Sequence, residues 1–470
     1  MATIDVQARE LPHNYWIAGF IGAGACVIAA SPHPLSAAAW IAPAAAIPVL
    51  LWILQSASRW LWCFLFAALL LPPVPFALGN SGPHVGVAIA GVGLVCGALR
   101  VREWLLKRDL LTFSMAVFFL VLLFSSALAI FYSGLDVAAG SLLRVLLFGI
   151  PVYIFFYSGY GPAPAMHQQA FGGARRLYWF GLLSAAFACV DFYYQFPAPA
   201  GYGPQFIWLD SGVYRRAQGI FYEASTLGNV CTFFLVMIAV TLFRDGSRRL
   251  VSRWALWIGA PVLFTALILS YSRASLLNLF AALAVLVYLE RARIRLARLF
   301  AIAASCLVAG ALAAWQIFPE AAWNYWLHLL HSEFFFSQPA SVLSGRVASW
   351  QTILAFLAAH PWHAILGIGY KTLPYSNVIG QNIVADNMYL SLLVETGIAG
   401  LVAFFLLNFA IVRTAWRAAR RNDSRSSFFG TWIFCFWIGE LCQMLSGDLF
   451  TYWRVLPLYF WVLAMAAHDT

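Results

Sequence analysis

Apolar runs of about 17–25 residues recur along the chain, the length at which an α-helix crosses the hydrocarbon core of a bilayer. Fourteen such segments can be placed, at 14–32, 37–56, 59–79, 84–99, 112–133, 141–159, 177–195, 225–243, 254–271, 275–289, 299–317, 388–412, 428–446 and 455–468. The fourth, tenth and fourteenth are the shortest. Membrane-spanning strands would need apolar and polar residues alternating over about ten positions, and that pattern is absent. Composition agrees. The 470 residues are 63% hydrophobic and 10% charged, with a mean hydropathy of +0.80, whereas a soluble domain carries about a quarter charged residues. The expectation is an all-α, polytopic membrane bundle of about fourteen helices (12–14), forming one transmembrane domain over 1–470.

The net charge of +10 does not point to nucleic acid, because the cations sit in short loops between apolar runs rather than on one basic face. With the N-terminus inside, 21 of the 28 Lys and Arg fall in cytoplasmic segments. This is the positive-inside pattern, and it puts both termini in the cytoplasm. The eight cysteines all lie in spans and form no CxxC or Cys/His cluster, so they read as small buried hydrophobes rather than as disulfide partners or metal ligands. The segment before the first run holds Asp5, Arg9 and Glu10 and has no clearly basic character, which favours a retained first helix over a cleaved signal.

The seven remaining cations are Arg144, Arg215, Arg216, Arg273, Arg346, Lys371 and Arg454. They work against the charge rule that orients the chain, so they need another reason to be there. Several fall in two long outer loops, 196–224 and 318–387. Loops beyond about 15 residues are more often functional than structural. In the second loop, GRVASWQTILAFLAAH places Val347, Trp350, Ile353, Leu354 and Leu357 at helical spacing, as in a helix lying along the membrane interface.

Six stretches can carry chemistry. YRRAQGIFYEASTLGN sets Arg215 and Arg216 ahead of Glu223 at the mouth of a span. A guanidinium is always charged and presents a fork of donors suited to phosphate oxygens, so such arginines suit a lipid-linked phosphate whose tail lies in the bilayer. The structural alternative has one arginine reaching lipid headgroups and the other paired with Glu223. LSYSRASL holds Arg273 at a hairpin too short to leave the membrane surface, SGRVASW holds Arg346, and GIGYKTLP carries glycines permissive of tight turns. ADNMYLSLLVETGIAGL places Asp386 and Asn387 at the outer end of a span, where Asp386 could equally cap the helix, and puts Glu395 within it. GELCQMLSGDLFTYWR brings Glu440, Asp448 and Arg454 to the last hairpin. Arginines able to hold a pyrophosphate leaving group, with a carboxylate able to take a hydroxyl proton, fit a transferase. A transporter would concentrate charge at mid-span, where Glu395, Glu440 and Asp191 are few.

The ordered set RAQGIFYEAS, YSRASL, GRVASW, GIGY and DNMYLSLLVETGIAGL resembles the O-antigen ligase and polymerase superfamily of bacterial membrane glycosyltransferases, over roughly 215–455. The resemblance implies a metal-independent enzyme of the bacterial inner membrane that needs no cofactor. It implies glycan transfer at the periplasmic face from an undecaprenyl-pyrophosphate donor, with membrane lipids and other polysaccharide assembly proteins as partners. It makes Arg215, Arg216, Arg273 and Arg346 the pyrophosphate-binding candidates and Asp386 and Glu223 the catalytic ones, with Asn387, Tyr389 and Arg454 in support. Ligases of the family usually carry a histidine where this chain has Asp386, and the Glu223 stretch looks more like the polymerases. The resemblance therefore favours a polysaccharide polymerase. The alternatives are a ligase acting on lipid A-core or on protein, and a flippase or exporter without enzymatic activity. His328, His331, His360 and His363 lie in the same long loop and are fallback bases, and Tyr202, Phe206, Trp208 and Trp323 are candidate sugar contacts.

Overall fold

The computed structural model describes residues 47–75, 83–161, 167, 169–199, 201–209, 212–244, 250–291, 346–376 and 378–467. The expected spans 14–32 and 299–317, the first half of 37–56 and the first part of the second long loop lie outside them, as do His328, His331 and Trp323. Within the described residues every other expected span coincides with a helix. Five helices are long and apolar enough to cross a membrane: α3 (Leu110–Ser133), α4 (Leu135–Tyr160), α5 (Ala170–Tyr194), α6 (Ala224–Phe243) and α11 (Met388–Ala419). Shorter apolar helices are α1 (Arg59–Leu70), α2 (Val85–Leu99), α7 (Arg253–Leu269), α8 (Arg273–Leu289) and α13 (Leu456–Ala467). The remainder are α9 (Arg346–Ala359), α10 (Pro361–Leu366) and α12 (Ser424–Gln443). The chain is thus an all-α, multi-pass membrane bundle among its described residues, although the count of fourteen spans is not established.

Two local differences from expectation have clear causes. Helix α1 ends at Leu70 rather than 79, because the Leu-Pro-Pro-Val-Pro run that follows removes amide donors and clashes with the preceding turn. The loop expected at 196–224 contains a small antiparallel ribbon, β1 (Phe206–Leu209) paired with β2 (Gly212–Arg215). Along α3, Phe113, Leu120, Phe124 and Phe131 recur on one side and are exposed, as a lipid-facing stripe would be.

Helix α13, one of the shortest expected spans, forms the centre of the bundle. All of its residues are buried, packed among α4, α11 and α12, and a helix that is apolar on every side belongs in such a place. Around it, Phe233 stacks against Trp432 and Tyr459 with ring centroids 4.5 and 4.6 Å apart.

Helix α11 is broken at Gly397, whose φ of 71° and ψ of −174° leave the helical region. The break frees carbonyls, and the loop after α10 supplies their donors. The Ile368 amide donates to Val394 O at 3.1 Å, and the Gly369 amide donates to Glu395 O at 2.9 Å. The Ser125 hydroxyl on α3 also donates to Glu395 O, at 2.9 Å. Gly367 and Gly369 both have positive φ. A Cβ at Gly367 would strike the Glu395 carbonyl, and one at Gly397 would strike the Ile365 carbonyl, so the two backbones meet without side chains between them. Helix α9 packs Ile353 and Leu357 into a small second core with Ile368, Leu373 and Val394. Leu354, expected on that same face, is 54% exposed.

Because Gly397 occupies a conformation open almost only to glycine, Gly397→Ala costs about 1–3 kcal/mol from strain alone, before any clash. Thermal unfolding in detergent measures it, and a variant melting with the wild type would contradict this account of the break.

Candidate functional site

A cavity of about 1200 Å³ opens at one end of the bundle. Its walls come from the segments after β2, between α7 and α8, at the start of α9, before α11, and between α12 and α13. Five cations line it: Arg144, Arg216, Arg273, Arg346 and Lys371. Four carboxylates share it: Glu223, Glu395, Asp386 and Asp448.

Each side chain is held by its own local structure. The segment at Arg216 is pinned to the end of α7, because the Ala217 amide donates to Leu269 O at 2.8 Å and Arg216 Nε donates to Ser270 O at 2.9 Å. Burial lowers the Arg216 pKa; Tyr452 and Glu223 oppose the shift, while Arg346 and Arg273 reinforce it, so the three guanidiniums feel one another. Arg273 opens α8 directly after Ser272, whose hydroxyl accepts the Ser275 amide and caps the helix. Arg346 Nε lies 3.0 Å from Asp386 Oδ2, joining the start of α9 to the start of α11.

Glu223 precedes α6 in extended conformation, and its carboxylate accepts the Thr226 hydroxyl at 2.6 Å. Burial raises its pKa above the ordinary carboxylate range, against the hydrogen bond from Thr226 and the charge of Arg216. Lys371 pairs with Asp448. Burial lowers its pKa to about 8, with Glu395 pulling the other way. Arg144 reaches down from α4 to donate to Lys371 O at 3.4 Å and lies over the Tyr375 ring at 4.3 Å. Glu395 Oε1 accepts the Leu373 amide at 3.3 Å, and its other oxygen is buried without a hydrogen-bond partner among the described residues. Five non-glycine residues among those described have positive φ; Tyr271, Lys371 and Asp386 line the cavity, and Tyr222 adjoins Glu223. Strained backbone gathered at a charged cavity is characteristic of a functional site.

Residues 258–405, from α7 into α11, match the family model described as O-antigen ligase. Over that segment the chain is similar to the O-antigen ligase/polymerase superfamily. Comparison with curated proteins gives no match. The matched segment supplies Arg273, Arg346, Lys371, Asp386 and Glu395, whereas Arg216 and Glu223 come from the preceding part of the chain and Asp448 from the part that follows.

Several residues expected at the site lie elsewhere. Strand alternation sends Arg215 and Arg216 to opposite faces, and Arg215 pairs with Asp191 of α5 at 3.6 Å instead of lining the cavity. Arg454 is a structural tie. Its guanidinium donates to the carbonyls of Ala68, Leu71 and Ile220, two of them at the C-terminal end of α1, where the helix dipole favours a cation. Tyr389 donates to Leu441 O at 2.9 Å, joining α11 to α12 outside the cavity. Asn387, not Asp386, caps α11, accepting the Leu390 amide at 3.1 Å. His360 and His363 stack with Phe356 away from the cavity. Among the described residues no group of three His, Cys, Asp or Glu side chains could hold a metal ion.

Lys371, Arg144, Asp448 and Glu395 are the cavity residues that motif reading left without a role. Their signal was present for three of them: Arg144 and Lys371 are cations against the charge rule, and Glu395 is a carboxylate within an apolar run.

The cavity is expected to bind inorganic pyrophosphate through Arg216 but not Arg215. Losing one charge-assisted contact costs about 1.5–3 kcal/mol, on the order of 10- to 100-fold in affinity. Calorimetric titration of Arg216→Ala and Arg215→Ala should separate the two, and equal weakening by both would remove Arg216 from the site.

Proposed function

We propose that the chain is a polysaccharide polymerase of the bacterial inner membrane, acting at its periplasmic face on glycan linked to a polyprenyl pyrophosphate. The observation that supports this most is Arg216, Arg273, Arg346 and Lys371 gathered beside Glu223 in one cavity of a protein with an O-antigen ligase family domain. In the reaction, an acceptor hydroxyl oxygen bonds to the donor's anomeric carbon. The bond from that carbon to the pyrophosphate oxygen breaks, and the polyprenyl pyrophosphate leaves with the electron pair. The cations stabilise the leaving charge, and Glu223 takes the hydroxyl proton. Asp386, ion-paired with Arg346, orients that guanidinium.

A second reading, transfer of finished glycan to a lipid A core, is favoured by the description of the matched family as O-antigen ligase. Deleting the gene separates the two. A polymerase leaves single repeat units on the lipid carrier, whereas a ligase leaves long polymer that is not attached. Purified protein that transfers no glycan between lipid carriers, in cells whose lipid-linked units stay on the inner leaflet, would mark a flippase instead.

The reaction should have a bell-shaped pH dependence. Lys371 has a pKa of about 8, below the ordinary lysine value, so its ammonium dominates only below that pH. Donor capture, read as kcat/KM, therefore falls as pH rises through about 8. Bound pyrophosphate raises the lysine's pKa, which moves this limb to higher pH in kcat. Glu223 must be ionised to act as base, so its raised pKa gives the acidic limb. Lys371→Arg should remove the alkaline limb. A profile that stays flat as pH rises through about 8 would dismiss Lys371, and one with no acidic limb would dismiss Glu223.

A further inference from the structure

The cavity accounts for the donor's pyrophosphate and leaves the acceptor without a place. Beside it lies a second, smaller chamber of about 290 Å³. Glu223, Thr451, Tyr452 and Trp453 line both spaces, so these residues form the partition between them. The far side of the small chamber is formed by Tyr202 and Tyr222, with Gln205 and Thr226 adding polar atoms near Glu223.

The chamber is built rather than incidental. The rings of Tyr202 and Tyr222 lie 5.3 Å apart. Buried Gln218 holds both, donating through Nε2 to Gly203 O at 3.1 Å and to Tyr222 O at 2.9 Å. Tyr222 is kept in the left-handed region at a φ of 55°. Trp453 meets the ring of His84 edge-on at 5.5 Å, and His84 is itself fixed by the Leu71 carbonyl and the Gly86 amide, each at 3.0 Å. Arg454 anchors the chamber wall through its three carbonyls. On the partition, Gln205 Oε1 accepts the Ala224 amide at 2.9 Å, which fixes the backbone next to Glu223.

Aromatic faces with phenolic and amide groups between them suit a sugar ring. The ring's C–H faces pack on aromatics, while its hydroxyls find donors and acceptors. The chamber is a quarter of the volume of its neighbour, too small for a lipid-linked oligosaccharide but shaped for the terminal residue of one. Among its described lining residues Arg454 is the one cation, and its donors already serve carbonyls.

We propose that this chamber is the acceptor subsite, taking the hydroxyl-bearing terminal sugar ring of the acceptor, and that Glu223 on the partition receives the proton of the attacking hydroxyl. The assignment rests on the transferase reading above. The acceptor oxygen crosses the partition to the anomeric carbon in the large cavity, the pyrophosphate leaves on the far side, and the proton stays on the Glu223 carboxylate until solvent removes it.

The test uses full-length protein in lipid nanodiscs. The donor is the lipid-linked repeat unit extracted from the deletion strain, and the acceptor probe is the same oligosaccharide freed from its lipid by mild acid. Tyr202→Ala should raise the acceptor KM about tenfold, the scale of one lost aromatic contact, with the donor KM unchanged, and Trp453→Ala, on the partition, should raise the acceptor KM by about the same factor. Glu223→Gln should lower kcat by about 10²–10⁴ with both KM values retained. Tyr202 and Trp453 are only partly buried, and thermal unfolding of each variant checks that the bundle survives; if one fails to fold, the other carries the test. Wild-type transfer with an unchanged acceptor KM in the folded aromatic variants overturns the subsite alone. Wild-type protein that transfers nothing overturns the transferase reading, and the subsite with it.

Discussion

Much of the site's geometry depends on the carbonyls released where α11 breaks at Gly397. A helix interrupted inside a membrane bundle must find new donors for those groups, because lipid offers none. Here the donors are the amides of Ile368 and Gly369 and the hydroxyl of Ser125. Satisfying them locks the loop after α10 against α3, α4 and α11. The Ser141 hydroxyl then holds the Tyr370 carbonyl, and Arg144 reaches the carbonyl of Lys371. Lys371 is thereby delivered to the cavity, and the Glu395 side chain is turned back to the same loop at the Leu373 amide.

That mechanical arrangement also sets the electrostatics. Four carboxylates among five cations leave the cavity close to balanced, and the pairs Arg346–Asp386 and Lys371–Asp448 hold much of its charge internally. An entering phosphate oxygen would compete with carboxylates already in place, so affinity reflects exchange of partners rather than capture by free charge. Such exchange lets a site bind an anion without storing several unbalanced cations in a low-dielectric bundle. Glu223 lies differently from the ion-paired Asp386 and Asp448. It is held by a neutral hydroxyl and raised by burial, which suits the proton-accepting role proposed for it.

Beside the cavity, α13 and Arg454 tie several elements of the bundle together. The helix is buried along its whole length, and the arginine just before it ties α1 to the segment ahead of α6 through backbone carbonyls. The aromatic partition between the two chambers grows directly from that anchored turn, so its rings are placed by the core of the protein rather than by a surface loop.

The sequence by itself determined the class of structure. Apolar run length dictates membrane helices, and the expected spans from 84 to 289 and from 388 onward match helices to within a few residues, apart from an earlier start to α4 and α5 and a later end to α11, because hydrophobic thickness leaves little freedom. It also singled out Arg216, Arg273, Arg346, Asp386 and Glu223, since each breaks a rule of charge or sits at the mouth of a span. What it could not decide was which of two adjacent arginines faces the cavity. That choice depends on a two-stranded ribbon whose pleat turns Arg215 toward Asp191. Nor could it separate Arg454, spent on a helix end, from Lys371, spent on the site. Both are single cations in apolar surroundings, and only partners brought near from far along the chain, the carbonyls of α1 for Arg454 and Asp448 for Lys371, tell them apart.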